Sequence, residues 1–186
     1  MNEKNISICN HMQCILKKLI YNITKVGSKS LSSTKQQEAL IQQYEADVNA
    51  FLPMHLKYYS TALEEIIAEK KQTHWMWFIF PQLAELGESK NSKEYGIQCA
   101  AHAKAYLKNQ ILRTHLYETS NALLNLNTDN IHNIFENEID CIKLKSSMTL
   151  FDYIEPESPI FNLVLVKYFN CEKDQLTLDI LNRKNI

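Results

Sequence analysis

The chain has 186 residues, a formal net charge of −1, an apolar share of 45% and a charged share of 22%. That is room for one hydrophobic core plus an appendage, in the ordinary globular range. The 20 basic residues are scattered rather than gathered into a face or stripe, which argues against nucleic-acid binding, and no run nears the roughly 18 apolar residues of a membrane span.

Residues 1–43 read as an N-terminal extension. Met12 to Ile23 has the spacing of a short amphipathic helix, with Ile15, Leu16, Leu19 and Ile20 on one side. Gly27 to Ser33 reads as a flexible linker. Lys17 and Lys18 interrupt the apolar run, so a signal peptide is not expected. The five cysteines, Cys9, Cys14, Cys99, Cys141 and Cys171, include no C-x-x-C pair. They read as free thiols of a cytoplasmic protein.

Residues 44–186 read as one all-α domain of about seven helices with little or no strand. With 3 glycines and 4 prolines, the chain has few tight-turn signals for a sandwich of short strands. Leu52, Leu56, Tyr59, Leu63, Ile66 and Ile67 step by three and four, and Pro53 fits the first turn of that helix. The central string follows, His74-Trp75-Met76-Trp77-Phe78-Ile79-Phe80-Pro81-Gln82. It holds both tryptophans of the chain. It is either the rib of the core or the wall of a pocket with His74 and Gln82 at the rim. A helical turn over 74–78 with an extended exit through Pro81 is expected. Ser92 is read as the cap of a helix running to Leu107. A second helix follows through Leu112, Leu116, Thr119 and Leu123. Thr128 or Asp129 is read as the cap of a short helix ending near Phe135. Asp140 is read as the cap of the next, with Leu144, Met148 and Phe151 on one face. The last two helices are expected at Ile160–Phe169 and Asp174–Leu181.

Three strings together resemble one family. They are the central string, Lys143-Leu144-Lys145-Ser146-Ser147-Met148-Thr149-Leu150-Phe151, and Lys167-Tyr168-Phe169. With Tyr95-Gly96-Ile97 and Ala105-Tyr106-Leu107 they are similar to the bacterial domain-of-unknown-function family 1810, often labelled calpastatin, over about residues 48 to 182. The resemblance implies a compact helical fold and no established activity. The calpastatin label implies nothing, because inhibitors of that name are disordered repeats. Where the family usually has Gly-Arg-Lys, this chain has Glu69-Lys70-Lys71, and where it has arginine before the serine pair, this chain has Lys145. Lysine keeps the charge but loses the planar fork that grips an anion at two points. The family's usual glutamine in the first helix falls at His55, and an acidic residue falls at Cys141.

His74 is the candidate for acid–base chemistry, because imidazole titrates near neutral pH. On a helical turn it would lie against Trp77 and Phe78, and burial would lower its pKa. The candidate ligand-binding residues are Lys71, Trp75, Trp77, Gln82, Tyr95, Lys145, Ser146, Ser147 and Thr149. Lys145 and Thr149 would share a helix face with Ser146 beside them, turned away from Leu144 and Met148. Each has a structural alternative: a histidine satisfied by a carbonyl, or a solvated helix face.

No Gly-x-Ser-x-Gly elbow, glycine-rich phosphate loop or H-E-x-x-H spacing is present, so neither a metal nor a cofactor is expected. Two functions remain open. One is a domain binding a small anionic or nucleotide-like ligand in a Trp/His-lined pocket, with or without catalysis. The other is a non-catalytic protein-interaction or regulatory module.

Overall fold

The structure, a computed structural model, describes residues 31–184. The chain divides after Glu38 into two compact units; of the first, residues 31–38 are described, as the start of a helix, and the packing below is that of the second. The helix read at Met12 to Ile23 and the start of the linker lie outside the described residues. Residues 31–33, read as the end of that linker, begin α1, which spans Leu31–Gln43. From Lys35 to Leu40 the run Lys-Gln-Gln-Glu-Ala-Leu consists of strong helix formers.

The described fold is all-α. After α1 come α2 (Glu45–Asn49), α3 (Leu52–Ile67), α4 (Met76–Ile79), α5 (Lys90–Glu94), α6 (Ala100–Lys108), α7 (Gln110–Asn125), α8 (Glu138–Ile154), α9 (Ile160–Phe169) and α10 (Gln175–Lys184). Two 3-10 turns, Ala84–Leu86 and Ile131–Asn133, lie between them. Among the described residues the β structure is an isolated parallel bridge, Leu83 to Ile97. None of the described helices is long and apolar enough to cross a membrane.

Helix α8 is the axis. It packs against α9, α6, α10 and α4, while α3 pairs with α7. Because neighbours surround α8, its hydroxyl face is not solvated: Ser146, Ser147 and Thr149 are buried along with Leu144, Met148 and Phe151. The central string forms much of the core. Trp75, Met76, Phe78, Ile79 and Phe80 are all buried, and Trp75 and Phe80 rank among the largest fully enclosed side chains. Trp77 and Gln82 are the half-buried exceptions.

Several local expectations shift. Helix α3 turns His55, Ala62 and Ile66 inward, whereas Leu56 and Ile67 are exposed. The cause is polar: His55 Nδ1 lies 2.8 Å from the Phe78 carbonyl and Nε2 lies 2.9 Å from His115 Nδ1, bonds available only on the inner face. The helix expected from Ser92 to Leu107 is two helices. Ser89 caps α5, accepting from the Ser92 amide. The chain then breaks at Gly96 and Ile97, where the Ile97 amide donates to the Gln82 carbonyl at 2.9 Å and the Ala84 amide to the Ile97 carbonyl at 3.0 Å. Gly96 permits this crossing, since a Cβ there would stand 2.3 Å from the Ser92 carbonyl oxygen and 2.5 Å from Ala84 Cα. Asn137, not Asp140, caps α8, and Asn130 caps the short turn before it. Helix α9 spans the expected residues, and Asp174 caps α10 by accepting from the Thr177 amide at 2.9 Å.

Candidate functional site

A cleft of about 330 Å³ opens beside the central string. Trp77 and Gln82 form one wall; Leu86 to Ser92 form the second; Ile139, Ile142, Lys143 and Ser146 of α8 form the third; and Asp174 and Leu176 close it at the start of α10. Three large apolar side chains stand exposed around it: Ile139, Ile142 and Leu176 are 58%, 52% and 64% accessible. Another hollow, of about 290 Å³ beside Val48 and Ala105, contains none of the sequence-derived candidates.

Each wall has a local cause. The bridge at Leu83 and Ile97 holds the backbone of Gln82 in place. Gly87 lets the second wall pass against α5, because a Cβ would sit 2.4 Å from both Cβ and Oγ of Ser92. Ser92 is itself tied to Ser89 through a 2.7 Å hydroxyl contact. Positions 139, 142 and 146 recur at helical spacing, so α8 presents two isoleucines and a serine on one stripe. Asp174 is fixed from two sides, its amide donating to Thr149 Oγ1 at 2.9 Å and its carboxylate accepting from Thr177.

The electrostatics centre on Asp140. One carboxylate oxygen lies 2.7 Å from Lys71 Nζ, and the other lies 3.3 Å from Lys143 Nζ. Each lysine also covers a tryptophan face, Lys71 at 5.2 Å from the Trp75 centroid and Lys143 at 4.3 Å from that of Trp77. Two cations against one carboxylate leave this trio with one positive charge, and the longer contact leaves it mainly on Lys143. Carboxylates of Glu88 and Asp174 also line the cleft. The surroundings therefore favour one anionic group at Lys143 and disfavour a polyanion. The buried indole N–H of Trp77 has no acceptor among the described residues, an unmet donor of the kind that ligands or ordered water satisfy.

The sequence-derived candidates separate into those the cleft gathers and those it does not. Trp77, Gln82 and Ser146 line it. Tyr95 lies behind them, lining a recess of about 10 Å³ with Trp77, Gln82 and Lys143. Lys71 does not line the cleft and shares the Asp140 carboxylate with Lys143. Trp75 belongs to the core, where its indole N–H donates to Glu65 Oε2 at 2.8 Å. Lys145 pairs with Glu172 at 3.1 Å and does not line the cleft. Ser147 is fully buried with no partner for its hydroxyl among the described residues, and Thr149 holds Asp174. His74 is exposed rather than packed under aromatic rings, because α4 begins only at Met76 and leaves it outside the helical turn.

Lys143, Ile139, Ile142 and Leu176 were not singled out from the sequence. The signal for Lys143 was its i, i+3 spacing from Ser146, which the sequence did single out. A further group that spacing motifs do not capture is His132, Glu138 and Cys141, whose ligand atoms lie within 4.8 Å of one another.

The comparisons with known proteins agree with the fold. The crystal structure of the conserved hypothetical protein Rv1873 from Mycobacterium tuberculosis superposes with a TM-score of 0.70 at 35% identity, covering 73% of this chain and 96% of that one. No curated protein matches the chain. The model of the family described as "Protein of unknown function (DUF1810)" matches residues 45–181, and the chain belongs to that family.

Proposed function

We propose that the protein is a small-ligand-binding domain whose cleft takes a ring-bearing, mostly apolar molecule with a single anionic group. The carrying observation is the convergence at one 330 Å³ opening of an unsatisfied tryptophan, a glutamine, a lysine with spare charge and three exposed apolar side chains. A few placed polar groups in an apolar concavity are the usual make-up of such sites. The ring would lie among Ile139, Ile142 and Leu176, with its anionic group at Lys143. An acceptor on the ring would meet the amide of Gln82 or the indole of Trp77. The carboxylates of Glu88 and Asp174 weigh against triphosphates. It draws nothing from His74.

The same apolar rim also suits a protein partner, and one experiment separates the two. Thermal unfolding is followed with benzoate, nicotinate, uracil, adenine, adenosine and ATP, for wild type, Ile142→Glu and Lys143→Gln. A ligand that binds only the folded state raises the midpoint by mass action. Ring monoanions should raise it most in wild type, lose the effect in Ile142→Glu, and lose their advantage over neutral rings in Lys143→Gln. No shift with any compound, or a shift that survives both variants, overturns the reading and leaves the rim to a protein.

A further inference from the structure

Beyond the cleft, three side chains of different ligand chemistry meet where the second 3-10 turn joins α8. Cys141 Sγ lies 3.7 Å from His132 Nδ1. The carboxylate of Glu138 lies 3.6 Å from His132 Nε2. The thiol is buried, while the imidazole and the carboxylate reach solvent. We propose that His132, Glu138 and Cys141 form a site for a borderline-soft divalent cation of the zinc class, with its fourth position open to water.

The donor set supports this assignment. One thiolate, one imidazole and one carboxylate are ligands that zinc accepts together, and three protein ligands with an open position is a known zinc arrangement. The distances fit as well. With zinc–sulfur and zinc–nitrogen bonds of about 2.3 and 2.0 Å, a tetrahedral edge between these atoms is about 3.5 Å. The sulfur–nitrogen separation of 3.7 Å is already close to that edge. Sulfur neighbours Nδ1 while the carboxylate neighbours Nε2, so a cation held by Nδ1 and sulfur requires Glu138 to swing to the Nδ1 side, closing by up to about 1.3 Å from the 4.8 Å limit of the group. Glu138 stands in the first turn of α8 with its side chain 69% exposed, free to change rotamer.

The backbone holds the other two ligands in place. Asn130 caps the turn that carries His132, and Asn137 caps the helix that carries Cys141. The thiol also donates to the Phe135 carbonyl at 3.7 Å, which keeps sulfur on this side of the helix. A coordinating thiol gives up its proton to the cation it binds. A nucleophilic Cys–His pair is the poorer reading, because the thiol is buried and a buried structural cysteine is inert.

The test uses the full reduced chain carrying Cys9→Ser, His11→Ala and Cys14→Ser, which removes competing ligands from the N-terminal segment. Cobalt(II) is titrated while the thiolate-to-cobalt charge-transfer absorption is read, and zinc is then added in competition. One equivalent of cobalt should produce the band, and zinc should abolish it. Cys141→Ser should lose the band; Cys99→Ser and Cys171→Ser should keep it. His132→Ala and Glu138→Gln alter exposed side chains, so they retain the fold, and each should weaken cobalt binding more than about tenfold. No band in the parent, a band that survives Cys141→Ser, or unchanged affinity in either exposed variant overturns the site.

Discussion

Acid should weaken this fold through His55 in a defined window. The imidazole is fully buried, with Nδ1 bonded to the Phe78 carbonyl and Nε2 facing His115 Nδ1 at 2.9 Å. If Nδ1 carries the proton toward Phe78, Nε2 accepts from His115, and both rings are neutral. Burial, opposed by the Phe78 carbonyl and assisted by His115, lowers His55 from the ordinary 6.5 to about 4. The unfolded chain therefore binds this proton more tightly than the folded one. Stability from His55 is full above about pH 6.5 and falls as pH drops toward about 4. The whole shift corresponds to about 3 kcal/mol, of which about 2 kcal/mol is lost by pH 5. His102 and His115 are shifted in the same direction, chiefly by burial, so wild type loses at least this much. The assay is urea unfolding of wild type and His55→Asn at pH 7.5 and pH 5. The variant is weaker at pH 7.5, but its further loss at pH 5 should be smaller than that of wild type by about 2 kcal/mol. Equal losses in the two proteins would refute the assignment.

Three further outcomes follow from single contacts. Asp140→Asn leaves Lys71, whose side chain is 9% exposed, without its counter-ion; urea unfolding should show a loss of about 3 kcal/mol, as for a broken buried pair. Glu65 accepts from the Gln72 and Thr73 amides and the Trp75 indole, so Glu65→Ala should cost about 2–3 kcal/mol and alter the near-ultraviolet circular dichroism of Trp75. Burial pulls that carboxyl upward, but the Gln72, Trp75 and Thr73 bonds outweigh it and hold it below 4.5, so its pH-dependent share disappears only below pH 4.5, outside most of the His55 window. Gly96→Ala places a Cβ 2.3 Å from a carbonyl oxygen and should lower the thermal midpoint by the equivalent of about 1–3 kcal/mol.

What was legible in the sequence was local. Pro53 at a first helical turn, the apolar steps of Ile160–Phe169 and the capping carboxylate of Asp174 all act within a few residues, and the structure has each of them. The rest is tertiary. In the sequence His55 stood out only as the place of the family's usual glutamine, and its partners, Phe78 and His115, come from other elements. Asp140 has the chemistry of a helix cap, yet Asn137 takes that place and Asp140 instead joins Lys71 to Lys143. The candidate site was half legible for the same reason. Trp77, Gln82 and Ser146 were recognisable from residue type. The cleft also needs Ile139, Ile142 and Leu176, exposed apolar residues whose meeting depends on how α8 and α10 pack.

The most direct test of the cleft uses the two tryptophans of the chain, Trp77 in its wall and Trp75 in the core. Their indole N–H groups differ, since that of Trp75 donates to Glu65 at 2.8 Å and that of Trp77 has no acceptor among the described residues. Two-dimensional nitrogen–proton NMR resolves both, and Trp77→Phe assigns them. On titration with the ring monoanion that gives the largest thermal shift, the Trp77 resonance should move with saturation while that of Trp75 stays fixed. If both stay fixed at saturating ligand, or Trp75 moves while Trp77 does not, the cleft beside Trp77 is not the binding site.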